Sequence, residues 1–129
     1  MTVGTYYLTV RSEFAAAHRL REYEGNCERL HGHNWKVEAT VRSAELDSRG
    51  MAVDFRTVKT ALGAVISRLD HAYLNEIPPF DRDWNPSSEH IARFIFEEVE
   101  GRIPAPCRLF SVTVWESPDA KAEYRVEPG

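Results

Sequence analysis

The sequence predicts one α+β domain, an antiparallel sheet of four strands with two helices on one face, in the order β-β-α-α-β-β. Three observations predict it. Two stretches near the N-terminus alternate apolar and polar residues with period two. Two central stretches repeat apolar residues at steps of three and four. Turn signals then leave room for antiparallel hairpins rather than helical crossovers.

Residues 6–12 are rich in aromatic and β-branched side chains, and Tyr6, Leu8 and Val10 alternate with Tyr7, Thr9 and Arg11. Phe14, Ala16 and His18 continue the parity, so a chain that stays extended puts His18 on the apolar face. Residues 19–30 are polar and contain Gly25-Asn26, a loop signal. From His31 the odd positions read His31, His33, Trp35, Val37, Ala39 and Val41, against Lys36, Glu38, Thr40 and Arg42 at even positions. Both motif histidines therefore fall on the buried face of a second strand.

Asp47-Ser48-Arg49-Gly50 is a turn, and Asp54 can cap a helix whose stripe is Phe55, Val58, Leu62, Val65 and Leu69, with Asp70-His71 at its end. Pro78-Pro79 and Asn85-Pro86 bracket an irregular stretch. Ser87 or Asn85 caps a second helix with the stripe Ile91, Phe94, Ile95 and Val99, terminated by Gly101, Pro104 and Pro106. Residues 109–116 form a third strand, Pro118-Asp119 turns the chain, and Ala122, Tyr124 and Val126 mark a fourth. Such a sheet has two open edges, a hazard that proteins cover or pair, so a homo-oligomer joined through those edges is expected.

A length of 129 residues fits a single domain, 1–129, with a modest core. Sixteen Lys and Arg against 20 Asp and Glu, net charge −4, argue against a broad nucleic-acid or acidic-membrane footprint, and no apolar run reaches the length of a membrane span. Residues 1–7 lack the pattern of a secretory signal. Cys27 and Cys107 are one distant pair with no disulfide-framework spacing, so a reducing cytoplasm is the expected compartment.

The segment Cys27-Glu28-Arg29-Leu30-His31-Gly32-His33, with His18 upstream, carries the chemistry. His31 and His33 project to one side of a strand, and three histidines plus water make a catalytic zinc site with an open position. Three imidazoles on one apolar face favour metal over core histidines, with Zn2+ the first choice and iron, nickel or copper also suited to imidazole. Cys27 reads equally well as a small buried residue, a fourth ligand, or a nucleophile or base with a lowered pKa. Asp70-His71 can pair past the helix end as a proton shuttle, although alone the pair reads more simply as a helix terminator. Glu116, in register with Phe110, Val112 and Val114, is either a solvated strand-end charge or a pocket carboxylate suited to a ligand edge with two N–H donors. His90, near the start of the second helix, is given no function. A cupin-like reading of His31, His33 and Glu38 fails on parity, since His33 and Glu38 are five apart and face opposite ways.

Together, Phe14-Ala15-Ala16-Ala17-His18, the Cys27–His33 segment with Asn34, Gly50-Met51-Ala52-Val53-Asp54-Phe55, Leu69-Asp70-His71-Ala72-Tyr73-Leu74-Asn75 and Trp115-Glu116-Ser117-Pro118 resemble the 6-pyruvoyl-tetrahydropterin and 6-carboxytetrahydropterin synthase family over nearly the whole chain. The resemblance implies the tunnelling fold (T-fold), in which subunits join sheets edge to edge into a barrel, commonly as hexamers built from trimers. It implies His18, His31 and His33 as zinc ligands, Cys27 as the catalytic thiolate, His71 supported by Asp70 as its relay partner, and Glu116 as the anchor of the pterin ring. For the substrate's triphosphate, Arg19, Arg21, Arg29 and Lys36 are candidates.

The Cys-x-x-x-His-Gly-His spacing resembles the bacterial 6-carboxytetrahydropterin synthases of the queuosine pathway. The implied reaction is conversion of 7,8-dihydroneopterin triphosphate to 6-carboxy-5,6,7,8-tetrahydropterin, acetaldehyde and triphosphate. Glu28, three residues before His31, also resembles the pattern of members that cleave the side chain for folate synthesis; as a bare sequence feature it is better read as a solvated loop charge. A 6-pyruvoyl synthase is the other activity within the class, and a non-catalytic zinc or pterin-binding module is the alternative outside it.

Overall fold

The computed structural model describes residues 2–22 and 28–127. Two 13-residue strands, β1 (Tyr6–His18) and β2 (His31–Ser43), form a long antiparallel hairpin whose register pairs Phe14 with Trp35, Ala16 with His33, and His18 with His31. Helix α1 (Phe55–Ile66) follows, then the short strand β3 (Ala72–Tyr73), helix α2 (Ser88–Glu100), and the hairpin β4 (Arg108–Ser117) and β5 (Ala120–Tyr124), closed by a two-residue turn at Pro118-Asp119. The sheet order among the described residues is β3-β1-β2-β4-β5.

The alternation seen in the sequence becomes a two-faced sheet. Val10, Phe14 and Ala16 of β1, Trp35, Val37, Ala39 and Val41 of β2, and Val112 and Val114 of β4 are buried beneath the two helices. Val58, Leu62 and Val65 of α1 and Ile91, Ile95 and Val99 of α2 fill the other side of this core. Each of the buried Val, Leu, Ile and Phe side chains contributes about 1.5–3 kcal/mol relative to exposure. Both helices begin on side-chain caps: Asp54 Oδ1 accepts from the Arg56 N–H at 2.8 Å, and Ser87 Oγ accepts from the His90 N–H at 3.1 Å.

Four details depart from the sequence expectation, and one alternative it left open, the cap of α2, is decided. Strand β3, which pairs in parallel with Ala16 and Ala17, is too short to leave a periodic pattern and makes a fifth strand. Helix α1 stops at Ile66, so Leu69 is fully buried from the turns that follow rather than from the helix. Ser87, not Asn85, caps α2. A bulge between Thr40 and Val41 shifts the β2–β4 register, putting Leu109 opposite Val41 and leaving Phe110 out of step with Val112 and Val114. Phe110 packs against exposed Tyr7, at 4.9 Å between ring centroids. Val126 lies beyond β5 and is exposed.

Candidate metal centre and active site

The hairpin register brings the histidines together. His18 ends β1, His31 opens β2 directly opposite it, and His33 sits one inward-facing position along. Ring centroids are 4.6 Å apart for His18–His31, 4.7 Å for His31–His33 and 5.3 Å for His18–His33. Trp35, fully buried, floors the cluster, 4.8 Å from His18 and 5.2 Å from His33 between centroids. Glu116, on the inward parity of β4, completes the group: one ligand atom from each of His18, His31, His33 and Glu116 lies within 4.8 Å of the others.

Backbone carbonyls fix two of the rings. His18 Nδ1 donates to the Pro86 carbonyl at 2.7 Å, and His31 Nδ1 donates to the Arg29 carbonyl at 2.8 Å. A carbonyl can only accept, so Nδ1 carries a proton, and in the neutral ring Nε2 presents the lone pair. His18 Nε2 and His33 Nε2 are buried with no hydrogen-bond partner among the described residues. Buried polar atoms left without a partner cost about 1–3 kcal/mol each. A cation shared by the imidazoles satisfies them, and the nitrogen-rich set with one carboxylate suits a divalent metal. Burial holds His18 below its ordinary pKa and so keeps it in the neutral, ligating form; the Pro86 carbonyl acts in the opposite direction.

Glu116 is also held from a second side. Its Oε2 accepts from Ser88 Oγ at 3.1 Å, at the start of α2, and its Oε1 lies 3.4 Å from His33 Nε2. An open cleft of about 910 Å³ runs from His33 and Glu116 across the outer sheet face, past Lys36, Glu38 and Trp115. Glu38 lies on that outer face, accepting from Trp115 Nε1 at 2.9 Å and Arg11 Nε at 3.2 Å, pointing away from the histidines as its parity requires. The Trp115 bond, ahead of Arg11, holds its carboxyl below the usual range.

Asp70 and His71 stand beside β1. Asp70 Oδ1 accepts from the Ala15 N–H at 2.9 Å, and the His71 N–H donates to the Ala15 carbonyl at 2.6 Å. This clasp holds His71 at a positive φ of 58° and sets its Nδ1 3.0 Å from Asp70 Oδ2. The Ala15 N–H holds the Asp70 carboxyl below the ordinary range, with His71 adding to the effect. The His71 side chain is 82% exposed and shares a shallow hollow of about 410 Å³ with Gly32, His33 and Asn34. It is thus near the cluster without belonging to it.

Cys27 lies outside the described residues. Glu28 departs from the solvated-charge reading: its N–H donates to the Leu20 carbonyl at 2.8 Å, its Oε1 accepts from the Leu20 N–H at 3.2 Å, and Oε1 lies 3.8 Å from His31 Nδ1. Arg21 is not free for a phosphate, because its guanidinium donates to the Phe80 and Trp84 carbonyls at 2.7 and 2.9 Å. Lys36 faces the cleft, and Arg19 and Arg29 are exposed. His90 is structural, donating from Nδ1 to the Asn85 carbonyl at 2.8 Å and stacking on Trp84. The second cysteine, Cys107, is buried, with Sγ 3.3 Å from the Ala52 carbonyl and its thiol pushed up by burial, an inert setting. The carbonyls that orient the rings were not foreseen from sequence, since a backbone acceptor leaves no residue-type signal.

An α+β tunnelling fold with a three-histidine, one-carboxylate cluster at the end of its central hairpin defines the class. The 6-pyruvoyl tetrahydropterin synthase family model matches residues 7–127, and the chain belongs to that family. It is 38% identical, over 86% of either chain, to a 6-carboxy-5,6,7,8-tetrahydropterin synthase of Synechocystis. It is 34% identical to a dihydroneopterin monophosphate aldolase of Pyrococcus furiosus, over 82% of this chain and 85% of that one. The structure of Caenorhabditis elegans 6-pyruvoyl tetrahydropterin synthase superposes with a TM-score of 0.82 at 24% identity, covering 98% of this chain and 99% of that one, which establishes the fold alone.

Proposed function

We propose that the chain is a zinc-dependent 6-carboxy-5,6,7,8-tetrahydropterin synthase, a lyase converting 7,8-dihydroneopterin triphosphate and one water to 6-carboxytetrahydropterin, acetaldehyde and triphosphate in queuosine biosynthesis. The observation that carries it is the convergence of His18, His31, His33 and Glu116 within 4.8 Å, with two buried Nε2 atoms unpartnered. The similarity to the Synechocystis synthase supports the choice of product.

In this reading His18, His31 and His33 hold zinc. When bound, zinc supplies Lewis acidity that stabilises charge developing on the substrate's side-chain oxygens. Glu116 binds the pterin edge: a carboxylate accepts at about four lone-pair sites, Ser88 uses one, and two parallel N–H donors can take two more. Cys27 takes the side-chain proton as a thiolate. His71 moves a proton at its exposed Nε2, with Asp70 holding the ring through Nδ1. Lys36 faces the cleft as a phosphate contact, with Arg19 and Arg29 as further cations. The working unit is the single domain 1–129, assembled as a homo-oligomer, with a hexamer the family's common form, in the reducing cytoplasm to which two cysteines without disulfide-framework spacing point.

A second reading has an observation of its own. Glu28 lies beside His31, and one relative carries the name of an aldolase, so side-chain cleavage to a hydroxymethylpterin is the alternative reaction. The test is mass-spectrometric product identification with zinc-loaded protein and 7,8-dihydroneopterin triphosphate, with Cys27→Ala as control. Carboxytetrahydropterin and acetaldehyde, lost in the control, are expected. A hydroxymethyl or pyruvoyl product moves the chain to folate- or biopterin-type chemistry. Zinc binding without turnover of any pterin overturns the enzyme reading in favour of a binding module.

A further inference from the structure

We infer that Arg21, acting with Asn85, is a positioning residue for the metal centre: it pins the 80–86 segment so that the Pro86 carbonyl holds His18 with Nε2 turned into the site. The inference rests on reading the three histidines as metal ligands.

Of the three histidines, His18 is the most deeply buried, 2% exposed, and Pro86 gives its Nδ1 an acceptor. Pro86 belongs to an irregular stretch between the 3₁₀ turn Leu74–Glu76 and α2, where no regular ladder fixes the backbone. Backbone bonds to the Ile77 and Pro79 carbonyls fold residues 77–84 into turns, and Arg21 ties those turns to the stretch that follows β1. Its Nη1 donates to the Phe80 carbonyl at 2.7 Å and its Nη2 to the Trp84 carbonyl at 2.9 Å, so the planar fork spans two turns of the segment. Its backbone is clasped in return: Asn85 Oδ1 accepts from the Arg21 N–H at 2.7 Å, and Asn85 Nδ2 donates to the Arg21 carbonyl at 2.9 Å. Pro86 is then held from both sides, by clasped Asn85 and by Ser87, which caps α2.

The strand end is tied by the same device one step earlier. Asn75 clasps the N–H and carbonyl of Arg19 at 3.0 and 2.9 Å. Arg19 and Arg21 flank Leu20, whose N–H and carbonyl are taken by Glu28. Residues 19–21, which follow His18 directly, are therefore bonded on both edges. The Arg21 fork is the link that ties this stretch to the segment supplying the His18 acceptor. Charge-assisted bonds of this kind are the stronger class, and outer partners that orient ligating histidines commonly change metal affinity by about 10–100-fold.

The role is distinct from that of a surface cation awaiting an anionic substrate. A lysine keeps the charge but cannot span both carbonyls in one plane. The experiment compares the parent with Arg21→Lys, Arg21→Gln and Asn85→Asp. It measures zinc affinity by competition with a chromophoric chelator, and the visible absorption of the cobalt-substituted proteins. Val65→Ala, a core truncation in α1, controls for general destabilisation.

Arg21→Lys and Arg21→Gln are expected to weaken zinc binding by about tenfold or more and to shift the cobalt bands. Asn85→Asp, which keeps the Oδ1 acceptor, is expected to do so less and covers the case in which an Arg21 variant does not fold. Val65→Ala is expected to lower thermal stability and leave both readouts at the parental value. Parental affinity and spectrum in every Arg21 and Asn85 variant that folds would overturn the inference while the metal reading stands. A parent that binds no zinc would overturn both.

Discussion

Glu116 is pulled between two roles, and Glu116→Gln separates them. Its carboxylate lies within 4.8 Å of the three histidine ligand atoms, as a metal ligand or a close electrostatic neighbour would, yet its Oε2 also accepts from Ser88 Oγ, a support that a ring anchor would need. Suppose it anchors the pterin. Glutamine keeps the shape and one carbonyl acceptor, but sets an NH2 donor against a ring N–H donor. One charge-assisted bond worth about 1.5–3 kcal/mol is lost and an unpaired donor remains. The total is about 3 kcal/mol, or about 10²-fold in kcat/KM. Zinc, still held by three imidazoles, loses only a nearby charge, and its affinity falls by about tenfold. Steady-state kinetics with dihydroneopterin triphosphate and zinc titration of the same preparation give both numbers. Zinc affinity down more than about 100-fold with KM unchanged would refute the argument, because Glu116 would then belong to the metal and not to the ring.

Two further predictions follow from the geometry. Asp70→Asn keeps an Oδ1 acceptor for the Ala15 N–H but removes the charge beside His71, so turnover should fall by roughly 10²-fold with little change in Tm, whereas Asp70→Ala should lower both; equal turnover in the parent and Asp70→Asn would remove Asp70 from the relay. The metal-free protein should lose stability as pH falls below 6.5, the ordinary value for His18, because the unfolded chain takes a proton that burial denies the folded ring. The contribution is complete above that pH and is lost as pH drops towards the lowered folded pKa. Asp47, Asp54, Asp70 and Glu38 are all held below the usual carboxylate range and stay ionised through that window. Urea midpoints between about pH 8 and about pH 5.5 measure it, and an identical slope in His18→Gln would assign the effect elsewhere.

What the sequence made legible were features with a local period. Period-two alternation is enforced by the pleat, so the inward set from Trp35 to Val41 and the shared side of His31 and His33 follow from residue type alone. Once β1 and β2 are long and antiparallel, His18 opposite His31 is a consequence of register. Phe110 escaped the same logic because one bulge inverts parity, and nothing in Leu109-Phe110-Ser111 announces a bulge. Leu69 kept the helical step in sequence although the helix ended three residues earlier, since an apolar side chain meets the same core from a turn. Strand β3 has two residues, below any periodic signal. Arg21 read as a phosphate contact because its partners are carbonyls 59 and 63 residues away, and a backbone acceptor has no letter in the sequence.

The division of labour in the site bears on how one scaffold serves several reactions. The three histidines are set by strand ends, where the β1–β2 register, pairing His18 with His31 and Ala16 with His33, fixes the side-chain directions. Under the proposed function, the groups that would choose among carboxy, pyruvoyl and hydroxymethyl products lie elsewhere: Cys27 and Glu28 on the segment joining β1 to β2, and His71 on the turn after α1. Glu28 is fastened to Leu20 at the foot of that segment, so moving the acid or base by one position there changes which group meets the substrate while the strand register that sets the ligands stays in place. A synthase and an aldolase are 38% and 34% identical to this chain, as expected if the strands hold the metal and the loops select the chemistry. Exchanging Glu28 should therefore alter product ratio before it alters zinc content.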